Sequence, residues 1–316
     1  MSQRSQRTPQ PRPSGPVPPP AGAVTAANAG SSPPNTGAPQ PEGAAPAASA
    51  KPLPVREALM RVVQPLADGL VRRLTGTRVA PHHVVLTHTA IGLLAAWLLA
   101  GGAWLGWLAA AVLLQVKSLL DNADGGLARA TGRVTRMGRY LDTLMDLVVN
   151  AALFVALAQH GPGWLALLAF VALTLVLSTE FNAMRRHLEE HAEQPPALDE
   201  APPGAPPGVL ALLEGAYDTL LAPQDRLLRY LDARWFERAD GAPWPHAAPS
   251  ARRRWADTFS VATLVNLGLT TQMLLLGICA AVGLPYAYVV LVLLQVPYVL
   301  ALQALRLRRY RAAVRP

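Results

Sequence analysis

Residues 119–146 read LLDNADGGLARATGRVTRMGRYLDTLMD and place four aspartates between two long apolar runs. These are Asp121, Asp124, Asp142 and Asp146. A charged side chain near the centre of a bilayer costs about 2.5–3.5 kcal/mol on insertion scales. Four acids at this place therefore indicate a functional site inside a membrane-spanning helical protein.

The composition of the whole chain supports a membrane location. Of its 316 residues, 51% are hydrophobic and 15% are charged, and the net charge is +8. Soluble domains carry more charge and fewer apolar residues. The arginines lie beside apolar spans, which favours membrane lipids as partners and argues against nucleic acid. One cysteine, Cys279, excludes a disulfide scaffold.

Apolar runs predict an all-α polytopic membrane protein, because six of them approach the roughly twenty residues that cross a bilayer. The predicted spans are about 83–101, 103–128, 138–159, 163–184, 259–282 and 286–306. Lysine and arginine avoid the loops at one end of these spans and cluster at the other. This asymmetry predicts that both termini and the site face the cytoplasm. The simple layout favours a bacterial cytoplasmic membrane.

The remaining segments differ in composition from the six-helix domain, which we place at residues 81–308. Residues 1–54 are rich in Pro and Ala and predict a disordered tail. Residues 55–80 predict an amphipathic juxtamembrane helix, or else a soluble helix packed on its own loops. An insertion at 187–257 predicts one or two interfacial helices on the cytoplasmic surface, or else a connecting or regulatory hairpin. Residues 309–316 form a basic C-terminal tail.

The aspartates recur at helical spacing on two neighbouring predicted helices. Asp121 and Asp124 share one helical face, and Asp142, Asp146 and Asn150 follow at intervals of four on the next. Facing carboxylates repel one another unless a cation lies between them. Hard Mg²⁺ or Mn²⁺ accepts oxygen ligands and leaves positions for phosphate. The pattern therefore predicts a metal site, with two ions, that holds a diphosphate.

Small and basic residues accompany the aspartates. Gly125 and Gly138 let a backbone approach a substrate or another helix closely, and Arg129 can bind phosphate oxygens. His82, His83 and His88 lack the spacing of a zinc site, and we interpret them as interfacial or packed histidines.

The spacing D-x2-D-G-x2-A-R-x8-G-x3-D-x3-D resembles the signature of the CDP-alcohol phosphatidyltransferase family. Eight positions match it, namely Asp121, Asp124, Gly125, Ala128, Arg129, Gly138, Asp142 and Asp146. The resemblance implies the six-span fold and transfer of a substituted phosphoryl group from a CDP-linked lipid, usually CDP-diacylglycerol, to an alcohol, with release of CMP. It also implies metal binding by the four aspartates, with Asp146 as general base. Asp124, Gly125, Ala128, Arg129 and Gly138 would line the CDP pocket. The resemblance alone suggests a homodimer.

The signature does not identify the acceptor, which the family takes as a small alcohol or an alcohol phosphate. A phosphorylated acceptor needs cations, and inside loops carry arginine in any case. Candidate acceptor residues are Lys117, Arg133, Arg136, Arg139, Asn150, Arg185 and Arg186. Lys117 lies within a span, where it can pair with a carboxylate, contact phosphate or extend to the interface.

Two other functions use intramembrane acids. An aspartate-rich prenyltransferase would carry its motifs on distant helices, whereas both pairs here lie on adjacent spans. A cation transporter would need polar residues through both leaflets, whereas the outer halves of spans two and three are nearly all apolar. Both readings rank below phosphatidyl transfer.

Overall fold

Long apolar runs fold into helices because a helix satisfies every backbone polar group within its own segment, which a bilayer requires. The computed structural model describes residues 54–191, 202, 205–206 and 208–314, and the predicted tail at 1–54 lies almost wholly outside them. Throughout this part of the chain the regular elements are helical and no strand occurs. The predicted all-α class is confirmed.

Eleven α-helices occur within the described residues. They are α1 Pro54–Thr75, α2 Pro81–Ala100, α3 Trp104–Ala130, α4 Arg136–Leu157, α5 Gly163–His191, α6 Val209–Leu220, α7 Ala222–Asp240, α8 Pro249–Trp255, α9 Thr258–Leu264, α10 Leu269–Ala281 and α11 Ala287–Val314.

Five of these helices, α2, α3, α4, α5 and α11, are long and apolar enough to cross a membrane. The predicted fifth span, 259–282, is not one continuous helix. It breaks at Gly268, where α8–α9 and α10 meet at a bend of 40°, and the two parts together make a sixth candidate span. The Gln272 side chain donates to the Leu267 carbonyl oxygen at 2.8 Å, which satisfies a backbone group near the break.

Small residues let the helices that carry the aspartates pack closely. A Cβ at Gly92 of α2 would lie 2.6 Å from Cγ1 of Val149 on α4, and one at Gly277 of α10 would lie 2.7 Å from Nε2 of Gln115 on α3. Only glycine fits either contact without movement of its neighbour. Helix α2 therefore packs closely against both α3 and α4, and α10 packs against α3.

The helices outside the spans also pack on this bundle. Helix α1 runs through Pro65 and contacts α3, where Val71 reaches Gly126. Within the insertion at 187–257, α6 and α7 join at Leu221 and α8 follows them. Helix α6 packs on α4, and α7 packs on α5 and α11. Helix α11 continues to Val314, through most of the segment interpreted as a basic tail, because Tyr310 is buried against Trp255.

Candidate active site

Asp121 and Asp124 lie in the second half of α3, and Asp142 and Asp146 lie in the first half of α4. A short connection, residues 131–135, reverses the chain between these helices. Thr135 caps α4, since its Oγ1 accepts a hydrogen bond of 3.0 Å from the Gly138 backbone N–H. A Cβ at Gly138 would lie 3.1 Å from that oxygen, so glycine suits this cap. The cap sets where α4 begins and therefore which of its residues face α3.

A cluster of four ligand atoms forms where α2, α3 and α4 meet. His88, Asp121, Asp124 and Asp142 each offer one atom, and the four atoms lie within 4.8 Å of one another. His88 Nε2 is 3.0 Å from Asp124 Oδ2, 3.6 Å from Asp142 Oδ1 and 3.8 Å from Asp121 Oδ1. Three carboxylates and an imidazole at this spacing can hold a divalent cation.

The hydrogen bonding of the cluster fits a cation. Asp121 Oδ1 and Asp142 Oδ1 are buried, and within the described residues neither has a hydrogen-bond partner. A buried polar atom without a partner costs about 1–3 kcal/mol, and more when it is charged. A bound metal would satisfy both oxygens at once. The donor set therefore suits the divalent ion that the sequence predicts.

His88 is the residue that the sequence interpretation missed. It is neither interfacial nor packed among apolar side chains, because it is fully buried and its ring lies against the carboxylates. The sequence feature that could have identified His88 is its position one turn before Gly92, on the face of α2 that packs on α4. The apolar setting of the first span concealed it.

Asp146 lies apart from this cluster and is held by Lys117. The Lys117 ammonium donates to Asp146 Oδ1 at 2.7 Å and lies 3.5 Å from Asp121 Oδ1. Lys117 is almost fully buried, so it does not extend to the interface. Of the three roles considered for this lysine, pairing with a carboxylate is the one that the geometry shows.

A cavity of about 420 Å³ opens beside the metal cluster. It is lined by the remaining signature positions together with two of the acids, namely Asp124, Gly125, Ala128, Arg129, Gly138 and Asp142. The guanidinium of Arg129 lies over Gly125, where a Cβ would come within 3.3 Å of its Nη1. Arg133 also lines this cavity rather than the one at Asp146. We refer to this space as the donor-side cavity.

A second cavity, of about 700 Å³, opens at Asp146. Four residues proposed for the acceptor from sequence line it, namely Arg136, Arg139, Asn150 and Arg185. Arg139 borders both cavities. We refer to this space as the acceptor-side cavity. The four signature glycine, alanine and arginine positions thus lie at the first cavity, and Asp146 lies at the second together with four of the acceptor candidates.

Arg186 lies outside both cavities. Its guanidinium pairs with Asp232 of α7 and stacks over Trp244 at 4.2 Å. Asp232 also accepts from Arg306 of α11 at 2.8 Å. Arg186 thus joins α5 to the insertion and to the last helix, and we assign it a packing role.

Comparison with known proteins places this site in a family. Residues 78–199 match the sequence model of the CDP-alcohol phosphatidyltransferase family. A bifunctional IPC transferase and DIPP synthase of Aquifex aeolicus is 46% identical over 54 residues, which are 17% of this chain and 13% of the relative. A phosphatidylinositol phosphate synthase of Mycobacteroides abscessus is 33% identical over 124 residues, 39% of this chain and 51% of the relative.

An archaetidylinositol phosphate synthase of Pyrococcus horikoshii is 32% identical over 108 residues, which are 32% of this chain and 52% of the relative. The chain thus spans about half the length of two of these relatives and less of the third. The apolar helices and the family match together identify an integral membrane protein. The matched segment contains the eight signature residues and the cluster around His88. Residues 78–199 of this chain therefore match the CDP-alcohol phosphatidyltransferase family, over a segment that carries the metal cluster and the Lys117–Asp146 pair.

Proposed function

We propose that the protein transfers a substituted phosphoryl group from a CDP-linked lipid, such as CDP-diacylglycerol, to the hydroxyl of a small alcohol and releases CMP. The observation that carries this proposal is that Asp124 and Asp142 of the metal cluster line one cavity, while Asp146, which shares Lys117 with Asp121 of the cluster, lines a second cavity. A transfer reaction needs two substrates on either side of one phosphorus atom, and this arrangement provides the two sites.

On the donor side, the chain binds and orients the diphosphate. Arg129 offers a planar guanidinium to phosphate oxygens, and the absence of a side chain at Gly125 leaves the space that it occupies. Mg²⁺ or Mn²⁺, as two ions, would neutralise the charge that develops on the phosphates when bound at the aspartates. His88, Asp121, Asp124 and Asp142 would hold the first ion.

On the acceptor side, Asp146 takes the hydroxyl proton. The new bond joins the acceptor oxygen to the phosphorus that carries the lipid, the bond from that phosphorus to the CMP oxygen breaks, and the proton passes to the Asp146 carboxylate. Lys117 orients that carboxylate through its 2.7 Å hydrogen bond. Asp146 lines the acceptor-side cavity, as this role requires.

Charge in the acceptor-side cavity favours a phosphorylated alcohol. Five arginines line it, and Arg139 and Arg229 are the two that make no ion pair with any described residue. Two relatives are named as inositol phosphate lipid synthases. We therefore propose an inositol phosphate as the first acceptor to test. The enzyme would act from the cytoplasmic face of a bacterial membrane, as a homodimer.

The test is CMP release by the purified protein from CDP-diacylglycerol, with Mg²⁺ or Mn²⁺ and a panel of alcohols and their phosphates. We expect release with one acceptor, its loss in Asp146→Asn, and wild-type release in the control Glu237→Gln, which alters a partly exposed acid of α7 outside both cavities. Absence of CMP release from folded protein with every acceptor would refute the proposal. Release of pyrophosphate from a prenyl diphosphate would indicate a prenyltransferase instead.

A further inference from the structure

The insertion between α5 and α8 forms one wall of the acceptor-side cavity. Both insertion helices contribute to this wall, and all of the contributing residues follow the segment that matches the family. They are Tyr217, Asp218, Leu221, Ala222, Gln224, Asp225, Arg226 and Arg229. Asp146 and Asn150 of α4 form the opposite part of the same lining. The insertion is thus placed to contact any acceptor that reaches Asp146.

Asp225 fixes the insertion over α5. Its carboxylate is 4% exposed and accepts a hydrogen bond from Asn182 Nδ2 at 3.2 Å and another from the Tyr217 hydroxyl at 2.6 Å. Burial and the hydrogen bond to Asp225 raise the pKa of Tyr217, so this hydroxyl stays protonated and remains a donor. The Gln224 side chain adds a 3.0 Å bond to Ser178 Oγ. Helices α5, α6 and α7 are therefore held in one arrangement beside the cavity.

Arg229 follows Asp225 by one turn and projects from the same face of α7. Its Nη1 lies 3.5 Å from Asn182 Oδ1, and no described carboxylate lies within ion-pair distance. Two other arginines of α7 differ in this respect, since Arg226 pairs with Asp218 and Arg234 pairs with Glu237. Arg229 is partly buried and borders the cavity, so its charge is available to an anionic ligand.

We propose that α7 completes the acceptor site, with Arg229 and Arg139 binding the phosphate monoester of a soluble phosphorylated alcohol. This assignment rests on the proposed function and deepens it, because it makes the insertion the element that selects a phosphorylated acceptor over the free alcohol. Asp225 is a positioning residue, since it acts through Asn182 and Tyr217. Arg229 is the residue that contacts the ligand.

The test compares Arg229→Gln and Arg229→Lys with the control Arg234→Gln, which alters an exposed arginine five residues further along α7 that borders neither cavity. Two quantities are measured, and the anionic and neutral lipid that each purified variant retains is determined beside them. One is the affinity for myo-inositol 1-phosphate, glycerol 3-phosphate, myo-inositol and inorganic phosphate by calorimetry without donor lipid. The other is the KM for the acceptor and for CDP-diacylglycerol during CMP release.

Loss of a charge-assisted hydrogen bond should weaken acceptor binding about tenfold or more. We expect Arg229→Gln to raise both the Kd and the KM for the phosphorylated acceptor by that factor. The Kd for free myo-inositol and the KM for CDP-diacylglycerol should stay unchanged. Arg229→Lys should keep part of the affinity, because lysine retains the positive charge but lacks the planar guanidinium that binds two phosphate oxygens at once. Arg234→Gln should match the wild type, and melting temperatures of all variants should confirm folding.

Other outcomes separate this inference from the function on which it rests. Wild-type turnover with unchanged acceptor KM in Arg229→Gln would refute the role of Arg229 and leave the transferase assignment intact. An equal rise in both KM values would show a structural role only and would also overturn it. If Arg229→Gln retains less anionic lipid than the wild type but the same neutral lipid, and its acceptor affinity is unchanged, the arginine binds a lipid headgroup and the proposal is overturned. Arginine-dependent binding of the sugar phosphate without any CMP release would support the site and refute the proposed reaction.

Discussion

His88 offers the most direct test of the metal cluster, since it is one of four candidate ligands and the only nitrogen. Replacement by alanine removes a fully buried ring and the 3.0 Å partner of Asp124 Oδ2, and leaves the three carboxylates. Loss of a residue that only orients a ligand lowers metal affinity about 10- to 100-fold. Loss of a ligand should cost no less, so we expect the Kd for Mn²⁺ to rise about tenfold or more.

The choice of metal sharpens this prediction. Imidazole binds Mn²⁺ in preference to Mg²⁺, whose ligands are almost always oxygen. His88→Ala should therefore weaken Mn²⁺ binding more than Mg²⁺ binding, and His88→Gln, which keeps a polar side chain, should fall between the wild type and alanine. Calorimetric titration of the metal-free protein measures both constants without any substrate.

An exposed histidine provides the control for His88. His191→Ala alters an exposed histidine at the end of α5, away from the cluster, and should bind both metals as the wild type does. The metal-free form of His88→Ala should also unfold at a lower temperature. Its free energy of unfolding should fall by about 1–3 kcal/mol, because a buried acceptor loses its partner. Unchanged Mn²⁺ affinity in folded His88→Ala would refute ligation by this histidine.

Two further substitutions test the packing and the ion pair around the site. Lys117→Met leaves Asp146 without its 2.7 Å partner. We expect the free energy of unfolding, measured by thermal denaturation, to fall by about 3–5 kcal/mol and CMP release to be low. An unchanged melting temperature would contradict burial of this pair. Gly92→Val places a side chain within 2.6 Å of Val149 Cγ1 and should destabilise by about 1–3 kcal/mol, with partial recovery when Val149→Ala is added. Gly215→Ala has open space around it and should not destabilise, and the same loss at both positions would refute the close contact of α2 with α4.

The sequence predicts the spans well because the length of an apolar run and the thickness of a bilayer are both local quantities. It does not predict the break at Gly268. The run 259–282 stays apolar across that glycine, and the break persists because Gln272 bonds to the Leu267 carbonyl and to Gln295 of α11. Hydropathy does not predict such a break, because the hydrogen bonds that stabilise it involve a residue on another helix.

The aspartate pattern also follows from sequence, because spacings of three and four residues place side chains on one helical face whatever surrounds them. The fourth member of the cluster does not. His88 reaches Asp124 across 36 residues, and Asp225 reaches Asn182 across 43. Both contacts exist only because glycines let helices approach closely and because the insertion folds back on α5. The sequence by itself determined the helices and the acidic face, and the tertiary structure alone decided which distant side chains share the site, since those contacts depend on interhelical packing rather than on local periodicity.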